Sequence, residues 1–142
     1  MVRADLLRAK LAELAERAAR VRNHQRPTVE ALGADRDALD VVCFNLMLAV
    51  QTCSDIAAHI ISDEGWAAPS TLAGAFDRLV EHGVVTAETC DAMRRAVRFR
   101  NVVAHGYAAL DVRAAFVAST AGLLDLDSFA REVARWIEGR GA

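Results

Sequence analysis

The chain has little that breaks a helix and none of the loops that mark the common nucleotide-binding or hydrolytic sites. Its 142 residues include two prolines, Pro27 and Pro69. Both lie where helical patterns stop, as expected of a residue with no backbone donor. The glycines are scattered and form neither a P-loop nor G-x-G-x-x-G, which excludes an ordinary nucleotide-binding loop. No serine stands in a nucleophile elbow, so an acyl-transfer triad of that kind is excluded. H-E-x-x-H is absent, and Asp55 with His59 has no third ligand at a convincing spacing, so no metal site is expected. The three cysteines, Cys43, Cys53 and Cys90, are odd in number and form no C-x-x-C pair. They sit among apolar residues as small hydrophobes, and a reduced cytoplasm is the natural compartment. A net charge of −2 gives no global pull toward nucleic acid, so phosphates would have to meet a local basic patch. No apolar h-region follows Met1, and no signal peptide is expected. The most apolar stretch, Leu39 to Ile61, contains Asp40, Asn45, Gln51, Asp55 and His59. It is too polar for a membrane span and suits a buried core helix.

What is present is helical periodicity. Hydrophobic residues make up 54% of the chain, enough for a globule with a real core, and the length fits one domain over residues 1–142. A first helix carries Leu7, Leu11, Leu14, Ala18 and Val21 on one stripe. A second carries Leu39, Val42, Leu46, Ala49, Cys53, Ile56 and Ile60; being apolar almost all round, it belongs at the centre. Ser70 is the expected N-cap of a third helix with Leu72, Phe76, Leu79 and Val80, closed near Gly83. Thr86 caps a fourth that runs toward His105, with Gly106 as its stop. A short helix follows Asp111, and a last one carries Leu126, Phe129, Val133, Trp136 and Ile137. No strand-like alternation, repeat or low-complexity run competes with these patterns. The expected fold is all-α: an up-and-down four-helix-type bundle with one or two additional short helices.

The fourth helix holds the unusual chemistry. At about 100° per residue, Met93, Ala96, Val97, Phe99, Val103, Ala104 and Tyr107 share one broad apolar arc, with Arg100 in its middle. A guanidinium there needs an acidic partner, hydrogen bonds or a wet cleft. It either pairs with a carboxylate such as Asp55 to pin two helices, or faces a cleft and binds phosphate in a bidentate manner. Arg94, Arg98, Asn101 and His105 form a second stripe, which is either a solvated basic face or the local patch an anionic partner requires. His105 suits proton transfer by its titration range, and equally suits capping a helix end. Arg100 and His105 point about 140° apart on an ideal helix. Both can reach one substrate only if the helix unwinds near Gly106 or a second protomer completes the site. Gln51, Asp55 and His59 follow at four-residue spacing on the central helix, with Asn45 and Thr52 nearby. They form either a structural hydrogen-bond network or the lining of a cleft beside Arg100.

Arg100, His105 and Tyr107 together give R-x4-H-x-Y. Phe99-Arg100-Asn101 leads into it, Gln51 and Asp55 lie on an upstream helix, and Gly83-Val84-Val85 precedes the helix that ends at the motif. This pattern resembles the signature of HepT-like toxins in the HEPN superfamily of helical nucleotide- and RNA-associated domains. The resemblance extends loosely over most of the chain. It implies a homodimeric toxin of a toxin–antitoxin pair, cleaving RNA without a metal or cofactor. Arg100 would hold the scissile phosphate, His105 would move the proton of the ribose 2′-hydroxyl or of the leaving oxygen, and Asn101 would orient either group. The antitoxin would be a minimal nucleotidyltransferase that adds AMP to Tyr107, filling the cleft and opposing RNA electrostatically. The alternative is a non-catalytic nucleotide- or protein-binding module of the same helical kind, and a third reading is a plain bundle in which an Arg100–Asp55 pair sets helix register.

Overall fold

A computed structural model describes residues 3–141. Its helices are α1 (Ala4–Asn23), α2 (Val29–Ala34), α3 (Arg36–Glu64), α4 (Gly74–Glu81), α5 (Ala87–Gly106), α6 (Val112–Ser119) and α7 (Ala121–Gly141), with a 3₁₀ turn at Tyr107–Ala109. No strand occurs among the described residues. The four long helices α1, α3, α5 and α7 form a ring in which each packs on the next and α7 closes back on α1.

Side-chain partners fix the direction of each helix. Arg17 of α1 donates to Asn45 of α3 at 3.2 Å, and Lys10 pairs with Asp55 at 3.7 Å, so α1 and α3 run antiparallel. Tyr107, just past α5, reaches Asp40 near the start of α3. Thr89 at the start of α5 donates to Glu132 late in α7 at 2.5 Å, whereas Arg95 meets Asp125 at 3.8 Å. Trp66, just past α3, stands edge-on to Trp136 of α7 with centroids 6.2 Å apart, so these diagonal helices run in parallel. The expected up-and-down bundle is the one observed.

The helix boundaries follow local chemistry. Thr28, Asp35, Thr86 and Asp111 cap α2, α3, α5 and α6 by accepting backbone N–H bonds, satisfying donors that the helix leaves orphaned. Gly65 ends α3 at φ +71°, a left-handed conformation that a side chain would disfavour. Gly106 ends α5 differently, at φ −150° and ψ 40°, so the stop falls where expected without a left-handed cap. Ser70 is not the cap of the third helix. Thr71 accepts from the Gly74 N–H at 3.0 Å, α4 starts there, and Leu72 stays outside it, 39% exposed. The short α2 went unforeseen because six residues carry too little periodicity to register.

The main core runs through all four long helices and includes Leu7, Leu14, Val42, Ile56, Met93 and Val133. Phe76 and Phe129, both fully buried, meet edge-on with centroids 5.7 Å apart at an interplanar angle of 83°, a favourable aromatic geometry. By length and composition α3 could cross a membrane, but 61% of its apolar window is buried inside the bundle, as the core-helix reading requires. A second, smaller core gathers Leu32, Ala38, Leu39, Cys43 and Ala115, with Phe99, Val103, Tyr107 and Leu110 packed against it. That satellite core carries the end of α5. Truncating Phe129→Ala should cost about 3–5 kcal/mol, the usual penalty for emptying such a site. Urea denaturation checks it, and a loss below about 1 kcal/mol would contradict the packing described.

Candidate functional site

The motif residues occupy the last two turns of α5 and the 3₁₀ turn beyond. Two packing demands position them: Met93 and Val97 are buried in the main core, and Phe99, Val103 and Tyr107 lie half-buried on the satellite core. Ala104, expected on the same arc, is exposed instead. Arg100 sits inside the arc, half-buried. Its Nε is shielded from solvent without a protein partner, while NH1 donates to Asn101 Oδ1 at 3.1 Å. The guanidinium therefore has most of its donors uncommitted, which suits an anionic ligand better than a structural pair.

The Arg100–Asp55 pair does not form. Asp55 is exposed and faces Lys10 of α1, on the side of α3 that α1 covers. Gln51 is likewise exposed, and of the two readings of Gln51, Asp55 and His59, the hydrogen-bond network between them does not form. Thr52 and Ser54 instead donate to carbonyls one turn back at 3.0 and 3.1 Å, and Asn45 does so at 2.8 Å while accepting from Arg17. Local back-bonding satisfies short polar side chains in a helix without any cross-helix partner.

The second stripe divides. Arg94 is committed to Asp77 of α4, and that guanidinium holds the Asp77 carboxyl below its ordinary range. Arg98, Asn101 and His105 are exposed; Asn101 accepts from Arg100, and Arg98 and His105 have no protein partner among the described residues. Arg98 also borders a cavity of about 730 Å³ between α5, α6 and α7, walled by Phe99, Val102, Leu110, Val117 and Leu126. That cavity flanks the motif helix but includes neither Arg100 nor His105. The α-helix continues unbroken through Gly106, so His105 keeps its helical bearing, about 140° from Arg100. The helix ends only after His105, so it does not bring the two together. Phe44, one turn along α3 from Asp40, and Val102 beside Asn101 expose 53% and 43% of their surface. Apolar residues so placed can be covered by another chain.

Tyr107 has a partner that the sequence did not suggest. Its hydroxyl donates a hydrogen bond to Asp40 Oδ1, while the ring packs on the satellite core. Burial, then the hydrogen bond to Asp40, push the phenol well above its ordinary range. Burial likewise pushes the neighbouring Cys43 thiol up to about 11. An acidic residue opening an apolar helix, in a chain with one tyrosine, was the only available signal. No group of three or more His, Cys, Asp or Glu side chains placed to hold a metal occurs among the described residues.

Residues 11–133 match the family described as ribonuclease HepT-like. The chain belongs to that family. The mRNA nuclease HepT of Shewanella oneidensis is 29% identical over 73 residues, 51% of this chain and 55% of the relative. The match thus spans about half the length of that curated relative. Among solved structures, the tri-AMPylated Shewanella oneidensis HEPN toxin, in complex with MNT antitoxin, superposes with a TM-score of 0.84 at 22% identity. That likeness covers 92% of this chain and 98% of the toxin. YutE of Bacillus subtilis, a cytosolic protein of unknown function, gives 0.84 at 15% identity, covering 98% and 93%. At such identities the structures establish the shared fold.

The raised phenol has a checkable consequence. Tyr107 is the single tyrosine, so the ultraviolet phenolate signal reports it alone. The native protein should show no phenolate at about pH 10, where unfolded chain titrates. Because the folded pKa lies above the unfolded one, this stabilisation is complete below the ordinary phenol range and is lost as pH rises from there through the raised folded pKa. Half-ionisation at about pH 10 in the native state would refute the environment described.

Proposed function

We propose that this chain is the toxin of a toxin–antitoxin pair: a metal-independent endoribonuclease that acts in the cytoplasm as a homodimer and is neutralised by AMP transfer to Tyr107. The observation that carries the reading is the unpaired guanidinium of Arg100 within the family's R-x4-H-x-Y motif, on an α5 that stays helical through His105.

Arg100 binds the scissile phosphate and stabilises charge that builds on its oxygens as the 2′-hydroxyl attacks. His105 transfers a proton, from the nucleophile or to the leaving oxygen, and Asn101, already bonded to Arg100, orients the guanidinium. In an in-line displacement the attacking and leaving oxygens lie on opposite sides of the phosphorus, so two groups serve better than one as base and acid. Two protomers related by a two-fold axis supply two histidines and two arginines to one cleft, and the divergence of Arg100 from His105 within one chain then ceases to be an obstacle. Exposed Phe44 and Val102 are the apolar surface such an interface would cover. Arg98 extends the positive surface for RNA. Arg94 serves the bundle through Asp77, and the exposed Asp55 faces Lys10 of α1; Asp55 and Gln51 are assigned no part in cleavage. The antitoxin is a minimal nucleotidyltransferase. AMP on Tyr107, two residues from His105, places a phosphate and a nucleoside where RNA must bind.

A binding module without catalysis remains the competing reading, and the neutralisation of Arg94 by Asp77 and of Arg95 by Asp125 favours it by thinning the basic patch. His105→Ala separates the two. It should relieve growth arrest and lower RNA cleavage by about 10²–10⁴ in the presence of a chelator. Wild-type dimer that leaves diverse RNAs intact over long incubation would refute the nuclease reading. Intact mass after co-expression with the nucleotidyltransferase should show AMP additions that disappear in Tyr107→Phe.

A further inference from the structure

A phenol is a poor nucleophile until its proton leaves, so any transfer of a nucleotidyl group to Tyr107 requires a place for that proton. Around Tyr107 the candidates are few. Cys43 is buried, its thiol pushed up to about 11, and is itself protonated near neutrality. Asp40 is different. Its carboxylate is exposed, it sits one helical turn before Cys43, and its Oδ1 already accepts the hydrogen bond from the Tyr107 hydroxyl. The ring, seated on the satellite core beside Cys43, keeps the phenolic oxygen against that carboxylate.

We propose that Asp40 is the proton acceptor for nucleotidyl transfer to Tyr107, a catalytic residue contributed by the protein that is being modified. The inference rests on the reading of Tyr107 as the modified residue. As the Tyr107 oxygen forms its bond to the α-phosphorus of a nucleoside triphosphate, the bond from that phosphorus to the oxygen bridging the β-phosphate breaks, and pyrophosphate leaves. The phenolic proton passes to the Asp40 carboxylate and then to solvent. Timing follows from electrostatics. A carboxylate beside the phenol opposes its prior ionisation, so proton removal accompanies oxygen–phosphorus bond formation rather than preceding it. Once the ester has formed, its oxygen has no proton to donate and the new phosphodiester is an anion close to Asp40. The tie between α3 and the 3₁₀ turn is then replaced by like-charge repulsion.

The test uses the full-length toxin, its cognate nucleotidyltransferase and Mg-ATP, with intact mass followed under single turnover at saturating ATP. Asp40→Asn keeps the shape and an acceptor oxygen but is a far weaker proton acceptor. It should slow AMP incorporation by about 10²–10⁴ while leaving Tm and toxin–antitoxin Kd near wild type. Asp40→Glu should restore part of the rate. Asp40→Asn modified at the wild-type rate overturns the assignment, leaving the reading of Tyr107 intact. A slow Asp40→Asn whose defect lies wholly in Kd, with Asp40→Glu equally impaired, also overturns it and makes Asp40 a docking contact. Wild-type toxin that gains no AMP at all defeats the reading of Tyr107 and this proposal together.

Discussion

An α-helix of 29 residues with apolar side chains on nearly every face, as α3 is, would expose far more hydrocarbon than a soluble chain tolerates. The other elements are arranged to cover it. α1 takes one flank, α5 the opposite one, α4 and α6 fill the gaps, and α7 closes the ring against α1 and α5. Burial of Val42, Ala49, Cys53, Ile56 and Ile60 to the last few square ångströms leaves no room for a charged side chain on the inner face. The polar residues of α3 consequently either bond their own backbone or lie on its outer surface, where Asp40 and Asp55 meet partners from different neighbours.

The same constraint dictates where chemistry can reside. α5 must present Met93 and Val97 inward, and Phe99, Val103 and Tyr107 to the satellite core. Arg100 lies between these anchors, so its shielded Nε is a consequence of packing on either side rather than of a partner. The guanidinium is held by its aliphatic stem and its head is left for a ligand. His105, on the last helical turn, is fixed in direction by the helix and in position by Tyr107, whose bond to Asp40 secures the chain immediately after it. Stability and the candidate site are therefore coupled through the satellite core.

The helices were legible in the sequence because each long one has an apolar stripe of matching period, and Thr86 and Asp111 mark the starts of α5 and α6. Where the reading missed, the cause is local. Ser70 and Thr71 are equivalent on paper, and only the backbone path decides which hydroxyl meets the Gly74 N–H. Of the two readings of Arg100, the Asp55 pair failed because four-residue spacing places Asp55 on a helix face without saying which neighbour covers that face. The neighbour is α1, which brings Lys10. Arg94 looked like part of a basic stripe until α4 supplied Asp77.

By itself, the sequence determined the helical class, the central place of the second long helix, the stop at Gly106, and the motif that marks the family, because periodicity, capping and motif spacing are local properties. Tertiary structure alone decided which charges are neutralised, since a salt bridge depends on helices that are distant in the chain. It paired Tyr107 with an aspartate 67 residues away, and it kept α5 helical through His105, so that Arg100 and His105 diverge within one chain. Sequence separation carries no information about such contacts, and they became visible only once the antiparallel course of α3 and α5 brought the start of one helix to the end of the other.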